Sequence, residues 1–243
     1  MKFSATIKAT KEFKTSISAI QALIEDATFD VTTEGIKFRG IEPSSICFMS
    51  VNFPKDKFVK YECDEDTKFT VRTNEFLEIV KRAKNDEELT LEMDDKVNAL
   101  QVYLGGKKHY VIPLLVMEKE APSPNFKLQS KITLKFADLV DYVKDINVVA
   151  DNFVVETDGT KMKLSGKGDS GHVDMEVDGT VTQSEEGELR GEYMMEFLLN
   201  TIKTLKGGFE DVIMEHGHDR PLKLTFDSEN TGTLVYVQAP KVL

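Results

Sequence analysis

The chain has few cysteines and no long hydrophobic run. Its two cysteines, Cys47 and Cys63, are too few for a disulfide framework among 243 residues. Cys47 lies in an apolar run, where a free cysteine behaves as a small hydrophobe. The longest apolar stretch, Tyr110 to Met117, is far shorter than the roughly 20 residues of a membrane span. We therefore expect an intracellular protein in a reducing compartment, with no export signal and no membrane anchor.

The sequence also has little that indicates catalysis. No order of Ser, His and Asp or of Cys and His points to a nucleophilic site, and His109 and His172 are isolated. One segment, residues 215–219, holds three kinds of metal ligand. A solvated turn is the favoured interpretation, and a metal-dependent enzyme using His216, His218 and Asp219 stays open as an alternative. We expect no enzymatic activity, no metal and no cofactor.

Two glycine-rich segments resemble phosphate-binding loops only in part. Residues 166–171 have the spacing G-x-G-x-x-G, but the alternation that follows predicts a strand instead of the helix that a pyrophosphate site needs. Residues 105–108 lack the earlier glycine and the following Ser or Thr of a nucleotide-binding loop. Both segments are predicted to be hairpin turns.

Positive charge is in deficit. With 31 Lys and Arg against 42 Asp and Glu, the formal net charge is −11, which argues against adhesion of the whole surface to nucleic acid or anionic membrane. The 40% hydrophobic share includes 15 Phe and supports ordinary cores. The length of 243 residues fits two domains.

What the chain does contain is a repeat. A short motif containing phenylalanine recurs at intervals of about 60 residues, which is typical of repeated architectures. Its four copies contain Phe13, Phe76, Phe136 and Phe197. Between them, apolar and polar residues alternate with period two, as in half-buried antiparallel strands. The chain is therefore predicted to contain four units, each a strand, a helix and several short strands.

Each copy of this motif is predicted to form an amphipathic helix that lies on a sheet. In the first helix, apolar residues recur at helical spacing: Phe13, Ile17, Ile20 and Ile24. Thr10 and Thr73 precede two of the helices, where a side-chain oxygen would cap the first turn.

The units group into two duplicated halves. Residues 13–38 parallel residues 136–164 in pattern, and between the halves lies a charged segment with Pro122 and Pro124. We expect an N-terminal domain at 1–117, a connector at 118–130 and a C-terminal domain at 131–243.

Basic residues recur on the helices of this acidic chain, which indicates a shared basic surface. They are Lys11, Lys14, Lys81, Arg82, Lys84, Lys144, Lys203 and Lys206. Singly, each is best explained as a solvated surface residue. The third helix fits less well, because Asp138, Asp141 and Asp145 offset Lys144.

Several segments together resemble the DNA sliding clamp family of proliferating cell nuclear antigen (PCNA). They are the four units in two halves, residues 35–46, Pro113-Leu114-Leu115 before the connector, and the ending at residues 236–242. The resemblance covers the chain from Met1 to Leu243. Because no acidic extension follows Leu243, the chain is more similar to archaeal than to eukaryotic members.

The resemblance implies an α+β fold of two duplicated clamp domains, each with two helices on one face of antiparallel sheets. Three such chains would form a ring with the helices lining a central hole, so that the helix lysines face the phosphates of double-stranded DNA without reading its sequence. The implied function is a processivity factor in DNA replication and repair, associated with chromosomal DNA. A specialised subunit that acts only in a heterotrimer stays open as an alternative to the homotrimer.

The resemblance also implies partners and contact surfaces. DNA polymerase, clamp loader, flap nuclease and ligase would dock short motifs into an apolar pocket beneath the connector. The residues expected there are Ile41, Ile46, Phe126, Leu128, Pro221, Ala239 and Pro240. Ser45 stands where many clamps have histidine. Neighbouring subunits would pair strands near residues 107–115 and 171–180, because unpaired sheet edges invite pairing.

Overall fold

The computed structural model describes residues 2–93, 97–116, 121–122, 124–184 and 187–241. Within these ranges, no helix is long and apolar enough to cross a membrane. The helices are α1 (Lys11–Leu23), α2 (Thr73–Lys81), α3 (Phe136–Asn147) and α4 (Met195–Leu205), with a short 3-10 helix at Lys55–Lys57. The strands are β1 (Phe3–Lys8), β2 (Asp26–Thr32), β3 (Gly35–Ile41), β4 (Cys47–Pro54), β5 (Lys60–Cys63), β6 (Thr67–Arg72), β7 (Glu88–Met93), β8 (Ala99–Leu104), β9 (Lys108–Pro113), β10 (Ser130–Lys135), β11 (Asn152–Thr157), β12 (Met162–Gly168), β13 (Gly171–Val177), β14 (Thr182–Gln183), β15 (Leu189–Met194), β16 (Asp211–His216), β17 (Leu222–Ser228) and β18 (Gly232–Gln238).

The chain divides into two compact units. The first comprises residues 1–43, 49–122 and 228–234, and the second comprises residues 44–48, 123–227 and 235–243. The limits expected from the sequence, at residues 117 and 131, stay a prediction. Residues 118–120 and 123 of the predicted connector lie outside the described residues.

In the first unit, antiparallel strands provide the layer on which two helices lie. One sheet has the order β5-β1-β7-β8-β9, and a second run of strands has the order β4-β3-β2-β6. Helices α1 and α2 pack against each other. Phe13 of α1 meets Phe53 with ring centroids 5.3 Å apart, and Phe76 of α2 meets Phe29 edge-on at 5.9 Å. The apolar face of each helix is thereby buried.

The second unit repeats this plan. One sheet has the order β13-β12-β11-β15, and a second run has the order β14-β10-β16-β17-β18. Helices α3 and α4 pack against each other, and α3 contacts β10 and β12. Phe136 of α3 lies edge-on to Phe226, with ring centroids 5.0 Å apart. A helix followed by a hairpin, α1-β2-β3 in the first unit and α3-β11-β12 in the second, matches the predicted duplication.

The four phenylalanines of the repeat are not equivalent, although the helices are. Phe13, Phe76, Phe136 and Phe197 are the third, fourth, first and third residues of their helices. The first three are at most 2% exposed, whereas Phe197 is only half-buried. In α4 the buried first residue is Met195. The buried stripe of α4 continues from Met195 through Leu198 and Ile202. A side chain two positions after Met195 points about 200° round the helix axis, so Phe197 lies off this stripe.

One of the two predicted helix caps is confirmed and the other is wrong. The hydroxyl of Thr10 accepts a hydrogen bond from the Phe13 amide at 3.2 Å, as an N-cap does. Thr73 is instead the first residue of α2, and its hydroxyl donates to the Ile24 carbonyl at 2.7 Å. Thr73 therefore ties α2 to the end of the preceding helix instead of capping its own.

Both glycine-rich segments are hairpin turns, as predicted. Gly105 and Gly106 have φ values of 54° and 65°, which suit the tight turn from β8 to β9. The G-x-G-x-x-G segment forms the hairpin from β12 to β13, with Gly168 opposite Gly171. A side chain at Gly166 would collide with Ile146 and Ala150. This glycine therefore allows α3 to pack closely on β12.

Candidate nucleic-acid and partner surfaces

The densest group of cations on a helix lies at the end of α2. We call residues 81–85 the basic turn; it contains Lys81, Arg82 and Lys84, all exposed. Lys81 pairs with Glu78, three residues earlier, at 3.0 Å. Such an exposed pair contributes little to stability, so the Lys81 ammonium can exchange its partner for another anion.

Lys14 of α1 reaches the basic turn from the neighbouring helix. Its ammonium group donates to the Ala83 carbonyl at 2.7 Å and to the side-chain oxygen of Asn85 at 3.1 Å. Lys11, three residues earlier on α1, is exposed. Lys11 and Lys14, which the sequence analysis grouped together as DNA-facing residues, therefore have different surroundings.

The helices of the second unit differ in charge. On α3, Lys144 pairs with Asp141 at 3.1 Å, and Asp138 and Asp145 are exposed beside it. On α4, Lys203 is exposed in the last turn and Lys206 is exposed at the C-cap. The exposed surface of α4 is thus basic towards its C-terminus, whereas that of α3 is acidic overall.

The structure joins two of the partner residues expected in the second unit. The Ala239 amide donates to the Ile46 carbonyl at 2.8 Å, which joins these two positions. Phe126 is 44% exposed, an unusual position for a large aromatic side chain. The remaining members are half-buried or buried: Leu128, Pro221 and Pro240. Ile41, at the end of β3, belongs to the first unit and is half-buried.

The sequence analysis missed a series of linked, buried polar side chains at the C-terminal segment. Gln238 is fully buried; its amide donates to the Met194 carbonyl at 2.8 Å and its oxygen accepts from the Tyr236 hydroxyl at 2.9 Å. That hydroxyl lies 3.2 Å from the sulfur of Cys47. A glutamine at an inward position of an apolar strand was the available signal, because a buried amide needs partners.

The candidate metal ligands are not assembled into a site. His216 ends β16 and is fully buried, whereas His218 is exposed and lies 3.5 Å from Asp219. Throughout the part of the chain that the structure describes, no group of three or more His, Cys, Asp or Glu side chains could hold a metal ion. The metal-enzyme alternative therefore has no structural support.

Two edge strands carry apolar side chains that are half-buried or exposed. Strand β9 is the last of the first unit's five-stranded sheet and carries Tyr110 and Val111, the latter 53% exposed. Strand β13 is the last of the second unit's four-stranded sheet and carries Val173 and Met175. These strands are the edges that the sequence analysis expected at subunit contacts.

Comparisons with known proteins decide the family. A model of the proliferating cell nuclear antigen N-terminal domain matches residues 2–119. The DNA polymerase sliding clamps of Nitrosopumilus maritimus and Cenarchaeum symbiosum are 34% and 33% identical to the chain, over 100% of it and 99% of each relative. The chain belongs to the family of DNA polymerase sliding clamps.

Solved structures show that the clamp has the expected fold. PCNA from Thermococcus kodakaraensis matches with a TM-score of 0.90 at 23% identity, over 98% of this chain and all of the other. A PCNA2–PCNA3 complex from Sulfolobus tokodaii matches at 0.86 with 26% identity, over 98% and 99%. A. fulgidus PCNA with the C-terminal region of FEN-1 bound matches at 0.89 with 22% identity, over 99% of both. The α+β fold of duplicated clamp domains is confirmed.

His216 should make the clamp's stability depend on pH. Burial lowers the pKa of this histidine to about 4, against about 6.5 in an unfolded chain. Between these values the unfolded state binds the extra proton, so the free energy of unfolding falls as the pH falls. We expect a loss of about 2 kcal/mol between pH 7 and pH 5, at about 1.4 kcal/mol per pH unit below 6.5.

Chemical denaturation at the two pH values measures this loss. The variant His216→Leu should lose this contribution to the pH dependence, because leucine binds no proton. An aliphatic side chain also suits a fully buried position, so the variant should fold. The matched control is His218→Leu, which removes an exposed imidazole and should keep it. Equal pH dependence in all three proteins would contradict the assignment to His216.

Proposed function

We propose that the clamp encircles duplex DNA as a ring of three copies and tethers a DNA polymerase to its template. The observation that carries this proposal is the placement of exposed cations at helix ends in a chain of net charge −11. Acidic surfaces elsewhere would repel DNA, so that the helices provide the attractive region. The role requires no catalytic group.

The charge arrangement suits a weak grip. The side chains proposed to contact DNA phosphates are Lys11, Lys81, Arg82, Lys84, Lys144, Lys203 and Lys206. Lys14, which the sequence analysis grouped with them, bonds to the basic turn. Contacts to phosphates carry no sequence information, and their strength falls as salt rises. Lys81 and Lys144 have carboxylate partners within their own helices, so a phosphate has to compete with them. The clamp would therefore slide along DNA, and ring closure would prevent its escape.

Pairing of β9 with β13 of the next copy would close the ring. Both are edge strands with apolar side chains that a neighbour would cover. Multimerisation is a property of the related PCNA2–PCNA3 complex, and this relative keeps a heterotrimer as the second candidate. The mass of the particle in solution separates the two: three copies alone support the homotrimer, and a monomer at micromolar concentration supports the heterotrimer.

Short peptide motifs would bind near Ile46, Phe126 and Ala239. The exposed Phe126 ring and the joined positions Ile46 and Ala239 offer apolar surface for such a motif. The related A. fulgidus PCNA binds the C-terminal region of FEN-1. By the same route we propose docking of DNA polymerase, clamp loader, flap nuclease and ligase, with Leu128, Pro221, Pro240 and Ile41 as further contacts. Stimulation of a polymerase on primed DNA, with a clamp loader present, tests the function.

Removing two cations of the basic turn should weaken DNA binding. For Lys81→Ala with Arg82→Ala we expect an affinity for linear duplex about 5- to 10-fold lower near 0.1 M salt, and a shallower dependence on salt, because about two phosphate contacts are lost per engaged subunit. Fluorescence anisotropy across a salt series measures both. Lys37→Ala with Lys131→Ala removes the same charge from exposed strand positions. Equal weakening by the two pairs would contradict a specific role for the basic turn.

A further inference from the structure

We propose that Lys14 is a positioning residue that acts through the basic turn, instead of a residue that itself contacts DNA. Its ammonium group bonds to the backbone carbonyl of Ala83 and to the side chain of Asn85, and thereby fixes the segment that carries Lys81, Arg82 and Lys84. This inference rests on the proposed function for its link to DNA. The contact between Lys14 and the basic turn depends only on the two hydrogen bonds, whether or not the clamp binds DNA.

Lys14 donates to the backbone just beyond the end of α2. The last carbonyls of a helix have no partner within it. The amides of Arg82 and Ala83 bond to the carbonyls of Ile79 and Val80, which tightens the final turn. The Ala83 carbonyl then accepts from Lys14 at 2.7 Å. A cation at this position also complements the negative end of the helix dipole.

The segment beyond α2 is irregular and depends on side chains for its shape. Asp86 has a φ of 61°, an uncommon conformation for a residue with a side chain. The Glu87 carboxylate accepts from the Lys84 amide at 2.7 Å, and Asn85 accepts from Lys14 at 3.1 Å. Lys108 lies 3.5 Å from the Arg82 carbonyl, at the outer limit of a hydrogen bond. Lys14 thus makes the shortest bond that joins this turn to another element.

Charge explains why a lysine in this position is informative. An ammonium group beside Lys81, Arg82 and Lys84 is repelled by them, since like charges close together are unfavourable. Two oxygen acceptors at hydrogen-bonding distance offset that repulsion. Moving the Lys14 ammonium to a phosphate would break both bonds and leave the Ala83 carbonyl without this donor. Lys11 has no such bond among the described contacts, and its exposed ammonium can reach a phosphate at no such cost.

The first experiment needs no DNA. Amide hydrogen exchange of residues 82–87 is compared among the wild type, Lys14→Met, Lys14→Arg and Lys11→Met. We expect Lys14→Met, which keeps the length of the side chain and removes its donors, to speed exchange by about 5- to 10-fold, as loss of a charge-assisted hydrogen bond would. Lys14→Arg should restore most of the protection, and Lys11→Met should leave it unchanged. Unchanged exchange in Lys14→Met would overturn the proposal.

The second experiment separates positioning from direct contact through Asn85, which carries no charge. Affinity for linear duplex is measured across a salt series for Lys14→Met, Asn85→Ala and the double variant. Positioning predicts that each single change weakens binding a few-fold, that the double variant is no weaker than Lys14→Met, and that the salt dependence stays unchanged. Direct contact predicts that Asn85→Ala has no effect and that Lys14→Met lowers the slope of log affinity against log salt by about 0.9; this pattern would overturn the proposal. Failure of the wild type to bind duplex would instead overturn the proposed function, and the exchange result would still decide whether Lys14 holds the turn.

Discussion

Replacing Tyr110 by alanine is expected to convert the proposed ring of three copies into monomers. Tyr110 lies on the edge strand β9, where it is half-buried within one subunit. A neighbouring β13 would complete its burial, and aromatic side chains at the centre of an interface commonly contribute 2 kcal/mol or more, so we take about 2 kcal/mol for each contact. A closed trimer has three such contacts. The overall association constant should therefore fall by about 10⁴-fold, at 1.4 kcal/mol for each factor of ten.

Sedimentation or light scattering at micromolar concentration measures the loss of the trimer. Val59→Ala is the matched control, because Val59 is an apolar side chain with 55% exposure that precedes β5, and β5 lies at the opposite edge of the five-stranded sheet from β9. The control should keep the mass of the wild type, and far-UV circular dichroism should show that Tyr110→Ala remains folded. A Tyr110→Ala protein that keeps the wild-type mass would place the subunit contact elsewhere.

Truncation of Phe136 should destabilise the second unit strongly, whereas the same change at Phe197 should not. Phe136 is 1% exposed and packs edge-on against Phe226, so its removal leaves a cavity in the core. Phenylalanine-to-alanine changes in cores cost about 3–5 kcal/mol. For the half-buried Phe197 we expect about 1 kcal/mol, since less apolar surface leaves the core. The two residues occupy the same place in the sequence repeat but different places in their helices.

Urea denaturation of the two variants measures the difference. The free energy of unfolding should fall about three times as far for Phe136→Ala as for Phe197→Ala. Met195→Ala extends the test, because Met195 is the buried first residue of α4 and stands where Phe136 stands in α3. Equal losses at Phe136 and Phe197 would show that the sequence repeat, and not the helix position, identifies the core residues.

The sequence was sufficient to predict the elements and their duplication, because these depend on periodic patterns. Apolar spacing located all four helices, and alternation located the strands that flank them. Contacts between residues far apart in the chain were not accessible in this way. Thr73 looks like an N-cap from its neighbours alone, but its hydroxyl bonds to the carbonyl of Ile24, 49 residues earlier.

For the candidate surfaces too, the sequence predicted some features, and only the fold shows the others. Charge counting found the cations of the basic turn, since exposure of a lysine is a safe expectation. It could not separate Lys11 from Lys14, because only the fold shows that Ala83 and Asn85 lie within reach of the second lysine. His216 and His218 likewise look alike in sequence, yet one is buried and the other exposed.

The edge strands β9 and β13 differ in sequence and belong to different units. A ring in which β9 of each copy meets β13 of the next is built head to tail, and head-to-tail rings have two unlike faces. Every copy then presents Ile46 and Ala239 towards the same side. A polymerase bound to that face would always lie on the same side of the clamp along the duplex. The face that the loader turns towards the primer end would thus decide whether a polymerase bound there can reach that end.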